Sequence, residues 1–139
     1  MLIKISLFLS LLFLSSCAYS SPLKEPLWKG IEGEAVGEGW IGMTAVAWVY
    51  KNRLAHNMPL GCCALHRKDL NQFISKQGAL NEKMAKKIYA QVFSGQIKDP
   101  THGATYYENI EKYGVPYWAK NMVITAKIGH HTFFKTRSI

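Results

Sequence analysis

The stretch Ile31-Glu32-Gly33-Glu34-Ala35-Val36-Gly37-Glu38-Gly39-Trp40-Ile41-Gly42-Met43-Thr44-Ala45-Val46-Ala47-Trp48-Val49-Tyr50 changes character halfway along. Its first half is acidic and glycine-rich, and its second is apolar on most sides. A helix with so little polar surface belongs in the middle of a domain. Residues 40–54 are therefore predicted as a central helix. Residues 27–38 are predicted as a shorter helix ahead of it, weakened by Gly33 and Gly37.

Moving outward, residues 57–64 read as a loop holding Pro59, Gly61, Cys62 and Cys63, and residues 69–75 as a short helix or turn. Asn81 suits a helix N-cap. After it Met84, Ala85, Ile88, Tyr89, Val92 and Phe93 fall on one helical face, until Ser94-Gly95 ends the run. Asp99-Pro100-Thr101-His102-Gly103 is a turn. Residues 104–107, 122–128 and 131–135 suit strands. The last two join at Gly129-His130, where a leading glycine fits a type II′ hairpin. Helices first and strands later predict an α+β class with a helical core and a small antiparallel sheet near the C-terminus. The 139 residues suffice for one domain.

The N-terminus reads as a targeting segment. Lys4 precedes a nearly apolar run over residues 5–14, followed by Ser15, Ser16, Cys17 and Ala18. This is the layout of a secretory signal over residues 1–16, and the run is too short to span a bilayer. Leu14-Ser15-Ser16-Cys17 also resembles a bacterial lipoprotein box, in which Cys17 is lipidated and becomes the mature N-terminus. Cleavage a few residues later and plain secretion is the alternative. Residues 17–26 read as a tether, leaving 27–139 as the folded domain. The expected location is the periplasm or cell envelope, with Cys17 as a membrane anchor.

The formal charge is +8, and removing residues 1–16 takes one lysine and leaves +7. Such a balance attracts polyanions. For an exported protein these are wall polymer or anionic lipid rather than nucleic acid, and a monomer is expected. With Cys17 lipidated, only the adjacent Cys62 and Cys63 remain, too strained a spacing for an ordinary bridge.

Chemistry concentrates in the opening stretch. Four of the nine acidic residues lie between Glu25 and Glu38 in a basic chain. On one continuous helix Glu34 and Glu38, four apart, face the same way. Like charges so close, partly buried, raise a carboxyl pKa, as a general acid requires. A solvated acidic helix face is the ordinary alternative. The glycines at 33, 37, 39 and 42 tip the balance, because they permit close approach of a backbone or a polymer ligand.

The run from Ile31 to Arg53 resembles the opening motif of the SleB-type cell wall hydrolases, the spore-cortex-lytic family. The resemblance continues at Gln72-Phe73, at Asp99 to Tyr107 with Asn109, at Trp118-Ala119, and at Ile128 to Lys135. It implies a lysozyme-like single domain that cleaves peptidoglycan between N-acetylmuramic acid and N-acetylglucosamine. It makes Glu34, in the Gly33-Glu34-Ala35 triplet, the catalytic glutamate, with Glu38 as the motif's second. Glu108, residues 110–116 and the Cys62-Cys63 loop depart from the family pattern.

Phe73, Tyr106, Tyr107 and Trp118 are the aromatic candidates for stacking on sugar rings, core packing being the alternative for each. Gln72, Asn109 and His131 complete the expected substrate-contacting set. His102, His130 and His131 show no H-E-x-x-H spacing, so no metal and no cofactor is expected. A common glycosidase needs two carboxylates flanking the scissile bond. Glu34 and Glu38 on one helix face would lie on the same side of the sugar. The expectation is therefore a lytic transglycosylase that works with one acid and leaves 1,6-anhydromuramic ends. A water-using muramidase, with Glu108 or Asp69 as partner, and a non-catalytic wall-binding lipoprotein are the alternatives.

Overall fold

The computed structural model describes residues 25–138. The signal segment, Cys17 and most of the tether lie outside the described residues. Helix α1 spans Leu27–Ala35, a 3-10 turn covers Val36–Glu38, and α2 runs Gly39–Ala55. A second 3-10 turn, Cys63–His66, precedes α3 (Leu70–Gln77) and α4 (Ala79–Phe93). Then come β1 (Tyr106–Glu108), α5 (Ile110–Tyr113), a 3-10 turn (Tyr117–Asn121), β2 (Met122–Ile128) and β3 (His131–Thr136). The α+β class is as predicted.

Helix α2 is the centre. Met43, Ala45, Val46, Ala47, Val49 and Tyr50 are all buried, on more than one side. One side packs with Ile31 of α1 and Ile88 and Val92 of α4; the other takes Ala104 and Phe133. Full burial of each large aliphatic chain stabilises the fold by about 1.5–3 kcal/mol. Lys51 ties α2 to the end of α4 by donating from Nζ to the Val92 carbonyl at 2.8 Å.

The sheet has the order β1-β3-β2, antiparallel throughout, with Tyr107 opposite Phe133 and Ile128 opposite His131. The hairpin turn is Gly129-His130. Gly129 takes φ +58° and His130 keeps a negative φ, as a type II′ turn asks. Because β3 lies between them, the chain from β1 to β2 must cross the sheet end through residues 109–121.

Two expectations need correction. The acidic stretch is not one helix. Ala35 leaves helical geometry (φ −140°) and Gly39 adopts φ +66°, so α1 ends, a 3-10 turn intervenes, and α2 sets off afresh. Three glycines in seven residues make a continuous helix costly there. Asn81 is not the N-cap of its helix either. Gly78 precedes α4, and the Asn81 side chain donates from Nδ2 to the Gln77 carbonyl at 2.8 Å. The positive φ of Gly78, +87°, lets α3 and α4 follow each other with one residue between.

Candidate active site

A cleft of about 700 Å³ opens between the end of α1, the Cys63 turn, α2 and the sheet. That lies within the range of small-ligand sites, about 300–1,000 Å³. Its walls include Glu34, Glu38, Tyr106, Tyr107, Asn109, Trp118 and His131, all expected from the sequence. Gln72 and Phe73 do not line it. They sit on α3, whose Leu70 and Ile74 are its buried residues, and the Arg67 guanidinium lies 4.3 Å over the Phe73 ring. Asp69 is outside as well, exposed and bridged to Arg67. The reason is helical geometry: burying Leu70 and Ile74, four apart, turns residues 72 and 73 to other sides of a short helix.

Glu34 stands in the last turn of α1, half-buried. One carboxylate oxygen, Oε1, accepts from the Ala64 backbone N–H at 2.8 Å. This bond depends on Gly33. A Cβ there would crowd Ala64 Cβ at 2.8 Å and Leu70 at 3.3 Å, so glycine is what lets the 62–64 segment lie against α1. The Cys62-Cys63 pair thereby acquires a place: Cys62 is buried, while Cys63 is exposed and lines the cleft.

Behind Glu34 two tyrosine hydroxyls meet, Tyr50 Oη and Tyr107 Oη, 2.9 Å apart. Burial, with the nearby Glu34 charge adding to it, holds both phenols well above their ordinary range, so both remain protonated donors. The Tyr107 ring also packs at 5.9 Å from Phe133 and edge-on to His131 at 5.1 Å. Burial pushes the His131 pKa below its ordinary value, outweighing the pull of Glu38, Glu34 and Glu108. The ring is therefore neutral near pH 7. Its Nδ1 is buried with no hydrogen-bond partner among the described residues.

Glu38 does not share a helix face with Glu34. Its carboxylate reaches across to the β2–β3 hairpin, where the His130 N–H donates to Oε2 at 3.2 Å and Oε1 at 3.4 Å. A Cβ at Gly129 would collide with the same carboxylate. Glu38 thus clasps the hairpin against the start of α2.

The Asp99–Tyr107 block is largely scaffold. Asp99 accepts four hydrogen bonds, from Asn52 Nδ2, the Thr101 and Gly103 backbone N–H groups and Thr101 Oγ1, at 2.6–2.9 Å. Burial alone would raise its pKa, but these donors hold it below the usual value. Arg53 donates to the Thr105 and Leu60 carbonyls and stacks 4.8 Å over Tyr106. Tyr106 in turn stacks on Trp118, with centroids 5.3 Å apart. Asn109 caps α5 by accepting from the Lys112 N–H at 3.0 Å.

Sequence reading missed Tyr50, Arg53, Cys63, Lys112 and Tyr113 as cleft residues. Tyr50 and Arg53 carried no signal of their own, because the apolar run around them reads equally as core.

A family model described as Cell Wall Hydrolase matches residues 37–134. The solved catalytic domain of the germination-specific lytic transglycosylase SleB from Bacillus anthracis aligns with a TM-score of 0.56 at 26% identity. That alignment covers 83% of this chain and all of that one. No curated protein matches the sequence. The family match starts three residues after Glu34 and does not include it.

Proposed function

Because the chain belongs to the cell wall hydrolase family, we propose that it cleaves peptidoglycan glycan strands between N-acetylmuramic acid and N-acetylglucosamine, with Glu34 as the acid. The observation that carries this is Glu34 at the cleft wall with one oxygen fixed by the Ala64 N–H. A fixed carboxylate presents its second oxygen in a set direction, which is what positioned proton transfer needs.

The step we favour is that of a lytic transglycosylase. Glu34 protonates the glycosidic oxygen as the bond from it to the muramic C1 breaks. The resulting carboxylate then takes the proton of the muramic C6 hydroxyl, and O6 closes on C1. No water is consumed and no second carboxylate is required. The similar Bacillus anthracis domain, a lytic transglycosylase, supports this direction. Tyr107 and Tyr50 are positioning residues behind Glu34, and neutral His131 lines the same cleft, edge-on to Tyr107. Glu38, engaged with the hairpin, shapes the cleft rather than transferring a proton.

One observation favours hydrolysis as a second reading. Glu108 lines the same cleft on β1, its Oε1 bonded to the Asn109 N–H at 2.8 Å. With Glu34 and Glu38 on separate elements, carboxylates on two sides of a sugar are no longer ruled out by helix geometry.

Glu34→Gln is expected to cut wall lysis by about 10²–10⁴ with the fold intact. Turbidity clearing of purified walls and a thermal melt check both halves; wild-type lysis by the variant removes Glu34 from the mechanism. Mass spectrometry of released muropeptides separates the two readings. Anhydro ends without added water support the transglycosylase, whereas reducible ends heavier by one water, abolished by Glu108→Gln, support hydrolysis.

A further inference from the structure

The crossover from β1 to β2 is an unusual loop. Four of the eleven exposed large apolar side chains among the described residues lie within residues 113–118: Tyr113 (69% exposed), Val115, Tyr117 (86%) and Trp118. Concentrated exposed apolar surface marks an interaction site rather than a solvated connection. The loop is also held in place. Asn109 caps α5, Glu111 pairs with Lys127 on β2, and Trp118 stacks on Tyr106 and meets Phe134 edge-on. Ordering a binding surface in advance lowers the entropy cost of using it.

The position of the loop names its ligand. Tyr113 and Trp118 are themselves part of the cleft wall, and Tyr117 continues the surface outside it. Lysine ammonium groups lie over one face of each tyrosine, Lys112 at 5.1 Å from the Tyr113 ring and Lys120 at 5.2 Å from Tyr117. Both tyrosines are still largely exposed, so ring surface stays free for a ligand. An aromatic face takes the apolar face of a sugar ring, and a polymer threaded through a cleft of about 700 Å³ must emerge at its ends.

We propose that residues 113–118 form an outer glycan-binding rim, with Tyr113 and Tyr117 stacking on sugars of the strand that lie beyond the scissile bond. The rim sets a preference for long strands over short fragments. This rests on the reading of the cleft as a glycan-cleaving site.

The test compares the parent with Tyr117→Ala and Tyr113→Ala/Tyr117→Ala, on insoluble peptidoglycan and on a purified tetrasaccharide muropeptide. The ratio of long-strand to short-fragment kcat/KM should fall by about three- to tenfold in the double variant, mainly through KM, and Tyr117→Phe should restore it. An equal loss on both substrates indicates a merely structural effect and overturns the rim. So does an unchanged ratio. Cosedimentation of Glu34→Gln protein with purified walls, with and without the tyrosine pair, keeps the rim separate from catalysis. Weaker binding without the tyrosines supports it. Binding that is undiminished, or lost only toward anionic lipid vesicles, overturns it. A parent that neither cuts nor binds walls would remove the functional reading itself, and the rim's ligand with it.

Discussion

Glu32 sits two residues before the candidate acid and has the opposite environment. It is fully buried, and neither carboxylate oxygen has a hydrogen-bond partner among the described residues. Burial, reinforced by Glu82 and opposed by Lys86, raises its pKa from 4.5 to about 7. An acid whose folded pKa is raised keeps its proton longer in the folded state than in the unfolded one. Its effect on stability is absent below about pH 4.5 and grows as a penalty from there to about 7, reaching at most about 3 kcal/mol. Glu32→Gln should therefore leave stability at pH 4 nearly unchanged and raise it above pH 7. Urea unfolding of parent and variant across pH 4–8 measures the difference. A gap that does not widen with pH would show that the buried carboxyl is solvated or paired in solution.

Between elements, two acidic side chains do fastening work. Asp99 gathers four donors from α2 and from its own turn, and so fixes the approach to β1 and the aromatic wall. Asp99→Ala leaves those donors unpaired in a half-buried site and is expected to cost about 3 kcal/mol, on the order of 10 °C in Tm. Because its folded pKa is depressed, the carboxylate's contribution is present above about 3.8 and is lost as the pH falls through the folded value. Thermal melts at pH 7 and pH 3 check both parts: the gap between parent and variant should narrow in acid. Glu38 fastens the hairpin by a longer, more exposed bond to the His130 N–H. Glu38→Ala should cost about 1 kcal/mol and strip amide-exchange protection from His130, while Glu38→Gln keeps an acceptor and most of that protection. Gly129→Ala, colliding with the same carboxylate in a positive-φ turn, should be the more damaging change.

For the whole molecule, the N-terminal segment poses the remaining question of place. Leu14-Ser15-Ser16-Cys17 follows an apolar run, and among the described residues no helix is long and apolar enough to cross a membrane. We propose an exported lipoprotein anchored at Cys17. Cys17→Ser should move the protein from the membrane to the soluble fraction of expressing cells. Equal solubility of both forms would favour ordinary signal cleavage.

Much of the architecture could be read from the chain itself. The apolar run of α2, the one-sided pattern of α4 and the Gly129-His130 hairpin are local signals, in which neighbours along the chain decide the outcome. Glu34 stood out as a candidate for the same reason, since its triplet and glycines are contiguous. Tertiary structure alone decided which side chains share the cleft. The break at Ala35 and Gly39 separates two glutamates that a continuous helix would have aligned, and sends Glu38 to a hairpin 92 residues away. Packing of Leu70 and Ile74 removed Gln72 and Phe73 from the site, while the chain reversal through β1 brought Tyr107 to Tyr50. Periodicity records which residues are buried, but their partners are set by long-range packing, to which spacing along the sequence is blind.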